Sequence, residues 1–164
     1  MVARTGPAEQ ILRPELVLTR IFDAPRELVF RAWTDPKLLA QWWGPKGFTN
    51  PVCEAHPRPG GAIRIVMRGP DGLDYPMVGV FQEIVVPERL VFTASPLDAR
   101  GKRMFESLTT VTFAAQGDQT LLTVRTSVSR VTPEAAPHLA GMEQGWTQSL
   151  ERLMDTLHSP GRSG

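Results

Sequence analysis

About eighty residues, from Phe48 to Val128, read as strands and turns, and the only long helical stretch in the chain follows them. An antiparallel sheet must cover its inner face, and that terminal helix is the element left to lie across it. In the strand region Ile63, Ile65 and Met67 alternate with Arg64, Val66 and Arg68, and Gly69-Pro70-Asp71-Gly72 is a turn signal. Met77 to Val86, Arg89 to Ala94, Ser107 to Ala114 and Gln119 to Val128 continue the pattern, with Gln116-Gly117-Asp118 turning the last pair. The spacing predicts a meander rather than strand-helix-strand units. A single helix is then expected over Thr132 to His158, with Thr132 as cap and Pro133 at the first position. Its residues Leu139, Met142, Trp146, Leu150, Leu153 and Leu157 fall three or four apart, on one stripe. Gly141 and Gly145 each cost about 1 kcal/mol in a helix interior. Close backbone approach, or vacant volume beside Trp146, would account for them.

Ahead of the sheet, residues 1–14 are polar and contain breakers, so a loose tail is expected there. Glu15 to Phe22 has strand composition, and Asp23 with Pro25 offers a helix start. Apolar residues recur at helical spacing from Arg26 to Trp33, and Asp35-Pro36 starts a second short helix through Trp43 that Gly44-Pro45 stops. The four tryptophans, 33, 42, 43 and 146, all lie in the short helices or the terminal one. An indole must be packed and its N–H must find a partner, so these residues mark where the fold is assembled.

At 164 residues the chain can bury a single core without a disulfide or metal. One domain over 15–158 is expected, with tails at 1–14 and 159–164. Eighteen basic residues face seventeen acidic ones, dispersed along the chain, which argues against a nucleic-acid interface. The lone Cys53 excludes an internal disulfide and fits a reducing compartment. The first twenty residues do not supply the apolar core of a signal peptide and no apolar run reaches membrane-spanning length, so no targeting segment and a cytoplasmic location are expected.

Chemistry-bearing motifs are sparse. His56, His138 and His158 have no serine or cysteine nucleophile at motif spacing, and Cys53 with His56 lacks a second ligand pair, so neither a catalytic set nor a metal site is assigned. Glycine-rich phosphate-binding motifs are missing, and no cofactor is expected.

The element order, a strand, two short helices, an antiparallel sheet and a long terminal helix, defines an α+β helix-grip fold with a curved sheet of six to seven strands. The wording of the motifs goes further. Ala32-Trp33-Thr34-Asp35-Pro36, Trp42-Trp43-Gly44-Pro45, Gly69-Pro70-Asp71-Gly72, Pro87-Glu88-Arg89-Leu90-Val91-Phe92-Thr93 and Gly145-Trp146 occur in that order. Together they resemble the domain at the C-terminus of the activator of the ninety-kilodalton heat-shock chaperone's ATPase. That family lies in the START-like, birch-pollen-allergen-like (SRPBCC) superfamily.

The resemblance, covering Glu15 to Leu157, implies an elongated apolar cavity between sheet and helix that holds a small hydrophobic molecule. The expected wall comprises Leu139, Met142, Trp146 and Leu150 from the helix, Trp42 and Trp43 from the short helices, and Met67, Met77, Phe81 and Phe105 from strands. Tyr75, Glu106 and Arg125 are candidates for polar groups facing that space. Strand parity places Arg64 opposite Ile63 and Ile65, on the solvated face, whereas the register of Glu106 and Arg125 stays open. Alternatives to a carrier are an interaction protein that assists a heat-shock chaperone, and an enzyme of the cyclase or hydrolase kind using Glu106 or His56. Superfamily members often dimerise, so a homodimer is a further expectation.

Overall fold

The computed structural model describes residues 15–158, apart from the side chains at positions 134, 137, 138 and 158. The expected tails, 1–14 and 159–164, lie outside the described residues. Strand β1 (Glu15–Phe22) leads into helices α1 (Arg26–Thr34) and α2 (Pro36–Trp42). Six strands follow as a meander: β2 (Thr49–Ala55), β3 (Ala62–Arg68), β4 (Asp74–Val85), β5 (Arg89–Pro96), β6 (Glu106–Gln116) and β7 (Gln119–Ser129). β7 pairs back onto β1, giving one seven-stranded antiparallel sheet in the order β1-β7-β6-β5-β4-β3-β2. Register shifts in β2 and in β4 between Phe81 and Glu83 bend the sheet, as bulges do.

The helix expected over Thr132 to His158 is not continuous. A 3₁₀ turn (Pro133–Ala135) and α3 (Ala136–Ala140) precede α4 (Met142–His158), with Gly141 at the break. Pro137 supplies no backbone N–H, and glycine is the weakest helix former after proline, so two poor residues four apart divide the segment. Thr132 stands at the start of the turn, but its side chain makes no capping bond. Asp35, by contrast, caps α2 as its sequence promises, its carboxylate accepting from the Lys37 N–H at 2.9 Å.

The inner face of the sheet is packed unevenly. At one end Phe22, Phe81, Leu90, Phe92, Val111, Phe113 and Leu122 meet Val29, Phe30 and Trp33 of α1 and Leu150 and Leu153 of α4, forming the main core. Trp42 is fully buried there; its indole N–H donates to the Ala32 carbonyl at 2.9 Å, and its ring meets that of Trp33 edge to face at 4.6 Å. Both demands that an indole makes, packing and a hydrogen-bond acceptor, are thereby met. A second, smaller cluster gathers Met104, Phe105, Val128 and Ala135, with Val131, Leu139 and Met142 against it. Between Thr109 of β6 and Thr126 of β7 the inner face carries a buried hydroxyl pair at 2.9 Å.

Candidate functional site

The cavity follows from side-chain size. Towards the Pro96 end of β5 the inner face of the sheet presents Ala94 and, opposite it on β6, Ser107. The facing helical segment presents Gly141, Gly145 and Ser149, so small residues oppose small residues and the two layers do not fill the space between them. A cavity of about 780 Å³ results, with a predominantly apolar wall drawn from both hydrophobic clusters. Gly145 borders it directly: a Cβ built there would meet only the Pro45 Cγ, at 4.0 Å. Of the two accounts of the helical glycines, vacant volume beside Trp146 describes this one.

Six of the ten apolar residues singled out from the sequence lie on this wall: Trp43, Met67, Met77, Phe105, Met142 and Trp146. The other four lie elsewhere. Trp42 and Phe81 sit within the main core, Leu150 packs there from the same helix stripe, and Leu139 belongs with the second cluster. The stripe on α4 thus serves two ends, with Leu150 and Leu153 completing a solid core while Met142 and Trp146 border open space. The Trp146 and Trp43 rings meet edge to face at 5.6 Å, and Phe48, from the segment that follows, lies 5.8 Å from Tyr75. Four of the six methionines, at 67, 77, 104 and 142, share the wall; unbranched thioether chains suit an apolar space of irregular shape.

Among the three polar candidates, Tyr75 is on the wall and the other two are not. Residues directly opposite in a ladder share a face. Glu106 pairs with Ser129 and Arg125 with Thr110, one step out of phase with the inward Ser107 and Thr126, so both point to the outer face. There Glu106 contacts Arg130 at 3.3 Å and Arg125 contacts Glu15 at 3.3 Å, exposed pairs of small energetic weight. Arg64 lies on that same outer side, 3.9 Å from Glu54. His56, just beyond β2, is not on the wall either, so neither acid/base candidate faces the cavity. Cys53 is half-buried on β2, and burial, followed by the nearby Glu54 charge, pushes its thiol up to about 11. Among the described residues, no three His, Cys, Asp or Glu side chains come together.

Sequence patterning did not mark Ser107, Ser149, Asp74 and Asp98, which also line the cavity. Ser107 donates to the Ala94 carbonyl at 3.0 Å, and the Ser149 hydroxyl accepts from the Gly44 N–H at 3.1 Å. Asp74 is held below the usual carboxylate range by its hydrogen bond from Arg68, and Asp98 by the Lys102 and then the Arg100 backbone N–H groups. Only their neighbours in space reveal them, since each is a single short polar residue without a motif. The wall as a whole offers apolar and aromatic surface with a few hydroxyl and carboxylate groups.

Comparison with known proteins gives a consistent picture. The family described as Activator of Hsp90 ATPase homolog 1-like protein matches residues 23–158. A protein from Arthrobacter aurescens, solved by NMR, is 27% identical with a TM-score of 0.79, over 92% of this chain and 89% of that one. The AHSA1 protein from Silicibacter pomeroyi is 28% identical with a TM-score of 0.75, over 88% and 97%. A protein from Chromobacterium violaceum is 30% identical with a TM-score of 0.72, over 86% and 95%. No curated protein matches the chain in sequence.

Proposed function

The chain belongs to the family described as Activator of Hsp90 ATPase homolog 1-like protein, and from that premise we propose that it binds a small hydrophobic molecule in the cavity between sheet and α4. The observation that carries this reading is the pairing of small residues across the two layers, Ala94 and Ser107 against Gly145 and Ser149, which keeps about 780 Å³ open beside two tryptophans. A cavity of that size, mostly apolar with a few polar groups, has the dimensions and lining of small-molecule sites. Trp43, Met67, Met77, Phe105, Met142 and Trp146 supply the apolar contact, and Tyr75 and Ser149 offer hydroxyls that orient a polar substituent. Binding rather than turnover is proposed, because Glu106 and His56 lie off the wall. A cytoplasmic setting belongs to the same proposal. Titration with the neutral fluorophore N-phenyl-1-naphthylamine tests it. Saturable binding of one probe per chain, with quenching of tryptophan emission, is expected, and emission that rises linearly without saturation would refute it.

The family's description supports a second reading, in which the chain assists a heat-shock chaperone. Addition of the purified protein to the chaperone then accelerates ATP hydrolysis; an unchanged rate removes that reading and leaves the first intact.

A further inference from the structure

We propose that residues 43–48 form a hinged strap over the cavity, and that Arg152 is the positioning residue that sets how often the strap opens. This rests on the reading of the cavity as the binding site. The segment leaves α2 after Trp42, enters β2 at Thr49, and contributes Trp43, Gly44, Pro45 and Phe48 to the wall. Gly44 and Gly47 turn it with φ of +98° and +89°, values that side chains other than glycine rarely adopt.

Polar contacts from α4 hold the strap. Arg152 Nη1 donates to the carbonyls of Trp43 and Gly44 at 3.0 Å and of Pro45 at 3.1 Å, and Nη2 donates to the Gln41 carbonyl at 3.1 Å. One turn earlier, Ser149 Oγ accepts from the Gly44 N–H at 3.1 Å and Gln148 Oε1 from the Lys46 N–H at 3.0 Å. Lys46 Nζ reaches Glu151 at 2.8 Å on the exposed side. The Arg152 guanidinium is part-buried, and the hydrogen bonds it donates reach one carbonyl in the last turn of α2, that of Gln41, and three in the segment beyond it.

Hydrogen bonding distinguishes this segment from the rest of the wall. Strands β4, β5 and β6 are locked by ladder bonds, and the loop after β5 is fixed by backbone bonds such as Leu97 N–H to the Pro76 carbonyl at 2.9 Å. The strap is tied to α4 through side chains alone. On the cavity side its ring contacts are apolar: Trp43 at the hinge end packs on Trp146 and, against the main core, on Trp42 and Phe92, and Phe48 packs on Tyr75. Asn50 Nδ2 holds the Ala40 and Trp43 carbonyls at 2.9 Å, which fixes the hinge end while Gly44 to Gly47 swing. Opening of Gly44 to Gly47 about Trp43 therefore breaks a few side-chain bonds and leaves Trp43, the sheet and the main core in place, as local openings of low cost do.

The test combines amide hydrogen exchange with stopped-flow mixing of N-phenyl-1-naphthylamine, comparing wild type with Arg152→Met, which keeps an apolar stem but no donors. The Gly44 and Lys46 amides should exchange about tenfold faster or more in the variant while β6 and β7 amides keep their rates. Probe association and dissociation should both accelerate by a similar factor, leaving Kd within about twofold. Gln148→Met, which removes the acceptor of the Lys46 N–H and lies off the wall, should raise the Lys46 rate in the same direction and serves if the first variant does not fold. Strap amides that exchange as in wild type, or a uniform rise across the sheet, overturn the proposal. If the probe binds wild type but its rates are unchanged in the variants, the entrance role fails alone; if it does not bind wild type, the cavity reading fails first and takes the entrance role with it.

Discussion

The Trp43 and Trp146 rings meet edge to face, their centroids 5.6 Å apart and their planes at 78°, across the corner where α2 ends and α4 begins. Each also faces the cavity, so the contact joins the two helical elements at the rim of open space.

That position sets what truncation costs. Trp146 is half-buried with a void on one side, whereas Trp42 is fully enclosed. Trp146→Ala should lose about 1–3 kcal/mol of stability, and Trp42→Ala about 3–5 kcal/mol. Urea denaturation of the two variants measures the difference, and equal losses would mean that Trp146 is ordinary core.

Two glycines beside this corner should respond in opposite ways. Gly145 is helical, with room for a methyl group, so Gly145→Ala should gain up to about 1 kcal/mol. Gly44 has φ +98°, and a Cβ there would lie 2.7 Å from the Met67 sulfur, so Gly44→Ala should lose about 1–3 kcal/mol. Melting temperatures moving up for the first variant and down for the second are the expected outcome.

The buried indoles differ in hydrogen bonding. Trp42 donates to the Ala32 carbonyl, while the Trp33 N–H is buried with no acceptor among the described residues. Both lose a ring on change to phenylalanine, but only Trp42→Phe also gives up a hydrogen bond, so it should cost about 1 kcal/mol more than Trp33→Phe. Chemical denaturation at a common pH compares them.

Cys53 provides a pH test. Its thiol, raised to about 11 from an ordinary value of 9.0, stays protonated in the folded protein at neutral pH and reacts slowly with iodoacetamide. Because the folded value is the higher one, the stability contribution is present below pH 9.0 and is lost as pH rises from there to about 11. Cys53→Ala should flatten that part of the stability profile; an unchanged profile would place the loss in another group.

Much of the fold is legible in the sequence because local signals agree with the global plan. The Ile63, Ile65, Met67 alternation and the Asp35-Pro36 start appear as read, and the stripe read from Leu139 to Leu157 holds on α4 from Met142 onward, with Leu139 left beyond the break. The site is less legible. A stripe states which residues of α4 face inward, but whether a neighbour fills the space opposite depends on pairing between distant elements. Leu150 meets a filled layer, whereas Trp146 stacks on Trp33, meets Trp43 and borders open volume, a difference invisible in their shared periodicity. Glu106 and Arg125 required the β6–β7 register, and Arg152 has no motif at all, because its acceptors are backbone carbonyls about 110 residues away.

Binding in the cavity is tested most directly by methyl NMR on protein labelled at the methionine methyl groups, titrated with N-phenyl-1-naphthylamine. Met67, Met77, Met104 and Met142 line the cavity, while Met154 packs against the main core on the far half of α4. With the probe seated in the cavity, the four wall methyls shift together and saturate at one probe per chain while Met154 stays still. Shifts at Met154 equal to those of the wall, or a saturating probe that moves none of the four, would contradict it.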